Sequence, residues 1–165
     1  MPMEANVRDP VTAYVALGAN LGNALQTVLQ TFDALAWLPD TRLTGRSQLY
    51  CTAPFEAQGP DFINAVAQIE TRLSAPALLD ALQTLEHQAG RQRPYVNAPR
   101  TLDLDLLMYG QATMNSPRLT LPHPRWRERA FVLYPLADLS PGLVTAEDRA
   151  RVSDQSIDVL PEPQP

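Results

Sequence analysis

The chain has 165 residues, 45% of them hydrophobic, and a formal net charge of -5, which is enough for one core that buries roughly 70% of the unfolded surface. No apolar run approaches the roughly 18 residues needed to span a bilayer, and the start MPMEANVRDP has no signal-peptide core, so a cytoplasmic protein without a membrane partner is expected. Cys51 is the sole cysteine, which excludes an internal disulfide and a cysteine-based zinc cluster and leaves Cys51 as a packing residue.

TAYVAL (12–17) reads as a strand, and GANLGN after it as a turn into a helix carrying Leu25, Val28, Leu29, Phe32 and Leu35. Pro39 and Asp40 stop that helix, residues 42–51 read as one second strand, and TAPFEAQGPD (52–61) as a loop. In FINAVAQIET (62–71), Ile63, Ala65, Ala67 and Ile69 share the face expected in the core, while Phe62, Asn64, Val66, Gln68 and Glu70 share the other. APALLDALQTLEHQAG (75–90) is an amphipathic helix with Ser74 as N-cap and Gly90 as stop. A proline-broken loop (91–99) leads to a further strand in RTLDLDLLMYG (100–110), and a helix is expected around 127–138. Beyond Pro141 periodicity fades. The expectation is a single domain over 1–165, with residues 1–11 and about 145–165 peripheral and loosely ordered. The order β-α-β-β-α-β predicts a ferredoxin-like α+β fold, an antiparallel sheet with helices on one face.

Charge is informative by position. All 13 basic residues are arginine, and between Arg91 and Arg129 seven of them face only Asp103, Asp105 and Glu128. An acidic chain with one arginine-rich segment suits a small polyanion such as a nucleotide, because guanidinium forks hold phosphate oxygens bidentately; a nucleic-acid groove would need more positive surface.

RTLDLDLLMYG places Leu102, Leu104 and Leu106 on one face and Asp103 and Asp105 on the other. Such same-face neighbours lie about 6–7 Å apart at the backbone. Two ionised carboxylates there repel by about 2–3 kcal/mol at an effective dielectric near 20, so a cation is called for. Arg100 could neutralise one; a hard Mg²⁺ ion, bound jointly with substrate phosphates, could neutralise both. Phe62 and Asn64 offer a stacking ring beside an amide, which suits a flat heterocycle with donors and acceptors on its edge. Phe131 could supply a second ring face or pack in the core with Leu133 and Tyr134. In RLTLPHPRWRER (118–129), Arg118, Thr120, His123 and Arg129 are donors suited to phosphate or ribose.

Together, AYVALGANLGN (13–23), GPDFINAVAQIET (59–71), LEHQAGRQR (85–93), PRTLDLDLLMYG (99–110) and RLTLPHPRWRERAFVLYPLADL (118–139) resemble the 6-hydroxymethyl-7,8-dihydropterin pyrophosphokinases of folate biosynthesis. The resemblance implies a monomeric ferredoxin-like enzyme with small-molecule substrates, moving the β,γ-pyrophosphoryl unit of ATP to the pterin hydroxymethyl oxygen and releasing AMP. By the same resemblance Asp103 and Asp105 ligate two Mg²⁺ ions, with Asp105 one candidate to accept the hydroxyl proton, and Arg91 and Arg100 contact phosphate. Gln83, Glu86, Arg93, Leu106, Arg118, Thr120, His123 and Arg129 match ATP-side positions; Gly18, Thr52, Ala53, Phe55, Phe62, Asn64 and Phe131 match the pterin pocket. Phe62 often has a tyrosine counterpart in the family, and Ala53 a proline. PYVNAPR (94–100) stands where some members have an Arg-Trp pair in a mobile lid, with Tyr95 a partial substitute. A two-metal phosphoesterase or nucleotidyltransferase would use the same paired carboxylates, and a nucleotide-sensing module would bind without turnover.

Overall fold

The computed structural model describes residues 8–54, 59–90 and 102–161. Along the chain, β1 (Val11–Ala19) is followed by α1 (Ala24–Ala36), β2 (Thr41–Arg46), β3 (Leu49–Thr52) and β4 (Phe62–Thr71). Then come α2 (Ala75–Ala89), β5 (Asp103–Tyr109), the short pair β6 (Met114–Asn115) and β7 (Thr120–Leu121), α3 (Ala130–Leu139), α4 (Ala146–Arg151) and β8 (Asp158–Leu160).

β1 lies inside the antiparallel sheet, paired with the central strand β4 from Val11 opposite Thr71 to Ala19 opposite Ile63, and with β5 on its other side. The far edge of β4 is shared end to end by β2 and β3, and β8 extends the sheet beyond β3. This is the expected ferredoxin-like α+β arrangement. The expected single strand over 42–51 is instead two, broken at Ser47 and Gln48. The break is stable because the buried Ser47 hydroxyl accepts from Val66 N–H (2.8 Å) and donates to the Gln48 carbonyl (2.7 Å), replacing ladder bonds that the bend removes.

Helices cover both faces, not one. α1 and α2 seal the first face around Val15, Leu17, Phe32, Ala67, Ile69 and Leu82. Asn23 caps α1 by accepting from Gln26 N–H, and Ser74 caps α2 by accepting from Ala77 N–H, as its sequence predicts. α3 seals the second face, packing Val132, Leu133 and Leu136 on Ala16, Val66 and Leu107. Its sequence AFVLYPLADL is apolar nearly all round, so it lies between sheet and C-terminal segment rather than on a solvent face. Val66 and Asn64, expected away from the core, are therefore buried (0% and 4% exposed).

β5 is an edge strand with one irregularity. Leu106 pairs with Val15 and Met108 with Tyr14, so Leu107 is an extra residue. Leu107 and Met108 both pack toward α3, and Tyr109 returns to the α1–α2 side, its hydroxyl donating to the Leu73 carbonyl at 2.6 Å. Beyond Pro141, where the sequence shows no periodicity, the chain forms α4 and β8. Thr145 and Asp148 make a reciprocal capping box on α4. Among the described residues no helix is long and apolar enough to cross a membrane.

Candidate active site

Strand register assembles the site. Across the sheet, Asp103 lies opposite Gly18, Gly18 opposite Asn64, and Asn64 opposite Tyr50. Cross-strand partners point to the same face, so this row lies on the α3 side, with Asp105, Ala16 and Val66 in the next row inward. Thr52 and Phe62 pair one row outward. At about 4.8 Å per strand, the Asp103 and Asn64 backbones are roughly 10 Å apart with only a glycine between them. Gly18 matters for its missing side chain: a Cβ there would meet Asn64 Oδ1 at 3.2 Å. Asn64 is buried, and its Nδ2 donates to Thr52 Oγ1 at 2.8 Å, which fixes the amide with its oxygen toward Gly18. Phe62 is half-buried at the mouth of the same face, and Ala53 is exposed just beyond β3.

At the other end of that row, Asp103 is exposed and Asp105 half-buried. Glu86 on α2 accepts from the Leu104 N–H, between the two aspartates, at 2.9 Å, and so holds the free edge of β5 in place. Among the described residues no basic side chain forms an ion pair with Asp105, and no group of three or more His, Cys, Asp or Glu gathers to enclose a metal. A two-carboxylate donor set fits Mg²⁺, which keeps waters and takes its remaining oxygens from phosphate, and does not fit a closed all-protein cage.

A cleft of about 260 Å³ runs along the free edge of β5, lined by Leu104, Asp105, Leu106, Arg118, Thr120 and His123. Arg118 is paired with Asp80 and also donates to Gln83 Oε1 at 3.3 Å, so α2 aims it into the cleft. The His123 N–H donates to the Leu107 carbonyl at 2.9 Å, and its Nδ1 accepts from Arg125 N–H at 3.2 Å, which puts the ring proton on Nε2. Burial lowers the His123 pKa below its usual value; Asp105 opposes that shift, and Arg129 and Arg125 reinforce it. The imidazole is thus a neutral donor at pH 7. Arg129 stands at the start of α3 with its guanidinium over the Phe131 ring, 5.5 Å from the centroid, and Phe131 is half-buried against the α3 core.

The structure therefore brings together Asp103, Asp105, Leu106, Gln83, Glu86, Arg118, Thr120 and His123 along β5, and Gly18, Thr52, Phe62 and Asn64 on the adjoining row. Arg91, Arg93, Arg100, Phe55 and the 94–99 loop lie outside the described residues. Sequence reasoning passed over Leu79, Leu119 and Pro124, which line the cleft, and Tyr50, whose buried hydroxyl donates to Asp138 at 2.8 Å. Burial and Asp138 push the Tyr50 pKa well up, so it stays protonated. Cys51 is half-buried beside Asp61, its pKa raised by burial and by that carboxylate. A larger depression of about 560 Å³ at the opposite end of the sheet contains none of the expected residues, and there Arg42 is paired with Glu70.

A family model described as 7,8-dihydro-6-hydroxymethylpterin-pyrophosphokinase (HPPK) matches residues 14–141. A Pseudomonas aeruginosa protein named 2-amino-4-hydroxy-6-hydroxymethyldihydropteridine pyrophosphokinase is 47% identical over 137 residues, covering 82% of this chain and 85% of its own length. A Haemophilus influenzae protein of the same name is 42% identical, covering 81% and 84%. A solved Plasmodium falciparum HPPK-DHPS triple mutant with STZ-DHP shares the fold at a TM-score of 0.66 and 13% identity, over 88% of this chain and 43% of that longer one. From the family model spanning most of its length and from relatives matched at this identity over most of theirs, the chain belongs to the 7,8-dihydro-6-hydroxymethylpterin-pyrophosphokinase family.

Proposed function

We propose that the protein transfers the β,γ-pyrophosphoryl group of ATP to the 6-hydroxymethyl oxygen of 6-hydroxymethyl-7,8-dihydropterin, giving AMP and the pterin pyrophosphate of folate biosynthesis. The observation that supports this most is the sheet face that carries the paired carboxylates on one strand and, two strands away, an amide-floored slot. The new bond joins the hydroxymethyl oxygen to the β phosphorus, and the bond from that phosphorus to the α-bridging oxygen breaks, leaving that oxygen on AMP.

Asn64, fixed by Thr52 and seated over Gly18, reads the pterin edge; Phe62 and Phe131 flank the ring. Successive backbone groups of an edge strand alternate in direction, and Leu104 N–H points outward to Glu86, so Leu106 also offers its amide to the cleft, where a nucleobase would lie. Thr120, the neutral His123 and Arg118 donate to ribose and phosphate from one side. Arg129 adds charge at the α3 N-terminus, where the helix dipole already favours anions. Asp103 and Asp105 would hold two Mg²⁺ ions, which when bound neutralise triphosphate charge and polarise the reacting oxygens. The chain's own contribution is then mainly orientation, with Asp105 the carboxylate that takes the hydroxyl proton. Arg91, Arg93, Arg100 and Phe55 complete the proposed contacts, in a monomer that acts in the cytoplasm.

The test is the nucleotide product formed with Mg-ATP and the hydroxymethyl dihydropterin, separated by ion-exchange chromatography. AMP equal to the pterin consumed is expected. ADP, or AMP with pyrophosphate independent of pterin, would assign the site to another phosphotransfer class.

A further inference from the structure

We propose that Gln155, beyond the residues the family model matches, is a positioning residue that fixes how Arg129 and Phe131 enter the site. This rests on the functional reading above, in which Arg129 faces the triphosphate and Phe131 the pterin.

Arginine has donors only, so it cannot accept the free N–H groups at a helix start, and its charge opposes the helix dipole there. Arg129 is nevertheless the N-cap of α3 and makes no side-chain cap bond. The missing acceptor comes from 25 residues further on, where Gln155 Oε1 takes the Ala130 N–H at 2.8 Å. The same carboxamide donates through Nε2 to the Glu128 carbonyl at 2.9 Å. One planar group thus grips the backbone immediately before and after Arg129, removing the hinge freedom that an uncapped helix start would have.

Two further contacts hold Arg127 to the same C-terminal segment. Buried Asp148 accepts from Arg127 NH1 at 2.6 Å and from Arg151 NH1 at 3.0 Å, and Arg151 NH1 also approaches the Arg127 carbonyl at 3.4 Å. Gln155 is itself seated by its own N–H on the Val152 carbonyl at 2.9 Å, and Val152 is fully buried. Residues 127, 128 and 130 are therefore each tied down from the C-terminal segment, leaving the Arg129 side chain to project over Phe131. A cap that served α3 alone would need only the acceptor; the added donor to Glu128 fixes the approach as well as the helix.

The test uses the whole chain with Gln155→Met, which keeps length but deletes both bonds, and Gln155→Glu, which keeps only the acceptor. Affinity for the Mg complex of α,β-methylene ATP is measured by calorimetry, with KM for both substrates. Gln155→Met is expected to weaken the analogue and raise the ATP KM by about three- to tenfold, with Gln155→Glu between it and the parent. In an Arg129→Ala background the same change should alter affinity by less than about twofold. Val28→Ala, in the core under the opposite sheet face, should lower Tm and leave the analogue's affinity unchanged. Should Gln155→Met not fold, Gln155→Glu on the two backgrounds decides the matter. A lowered Tm with unaltered affinity, or equal weakening with and without Arg129, would overturn the proposal. A parent chain that binds the analogue but forms no AMP would overturn the functional reading and leave this one standing.

Discussion

Asp105 is half-buried on the face covered by α3, one row inward from Gly18, while Asp103 remains exposed at the strand start. That inequality separates their roles: the inner carboxylate is screened less by water and faces the neutral His123. Asp105→Ala is expected to lower kcat by about a thousandfold, the several kcal/mol that metal-assisted charge stabilisation supplies. Its thermal melt should stay within a few degrees of the parent, since the change also relieves carboxylate repulsion. Near-parental turnover at saturating Mg²⁺ would contradict this. Gly18→Ala probes the other end of the row. Its added methyl presses on Asn64 Oδ1, so the pterin KM should rise about tenfold while the ATP KM stays level. Steady-state kinetics with each substrate varied would show whether the loss is confined to pterin.

At the scale of elements, α3 and the C-terminal segment behave as one unit. Tyr50 and the Gln48 N–H both bond Asp138 near the end of α3, and Gln155 and Asp148 hold its start. Burial alone would raise the Asp148 pKa, yet the Thr145 N–H and hydroxyl with Arg151 and Arg127 outweigh it, and the net shift is downward. A carboxylate with a depressed folded pKa contributes stability fully above its unfolded value and loses it as pH falls through the folded one. Asp148→Asn should therefore cost about 1–2 kcal/mol at pH 7, discounted for the half-exposed arginines, and progressively less below about pH 4. Urea melts of both chains across pH 3–8 should converge at the acid end; parallel curves would show that the ion pairs contribute nothing.

Over the whole molecule, what was legible in the sequence follows from local chemistry. The alternation of Leu102, Leu104 and Leu106 against two aspartates, the Ser74 cap and the two-residue period of β4 each depend on neighbours in sequence, and each is found. The division of residues 42–51 was hidden because Ser47 bends the strand by bonding Val66 on another one. The second helical layer was hidden because Val66 and Asn64 look solvent-facing until α3, itself expected as a helix, covers them. T-A-E-D at 145–148 is a readable capping box, but Gln155 carries no local mark of its bond to Ala130. For the site, residues on one strand could be grouped from spacing, whereas Glu86 on Leu104 N–H and the Leu79–Pro124 lining required the fold.

Phosphate moves to the pterin as an intact two-phosphorus unit. The direct measurement is label transfer from ATP carrying ³²P at the α, β or γ position in separate reactions, followed into AMP and the pterin product with Mg²⁺ present. Equal recovery of both labels in the pterin, with all α label in AMP, is the predicted result; γ label arriving without β label would contradict it.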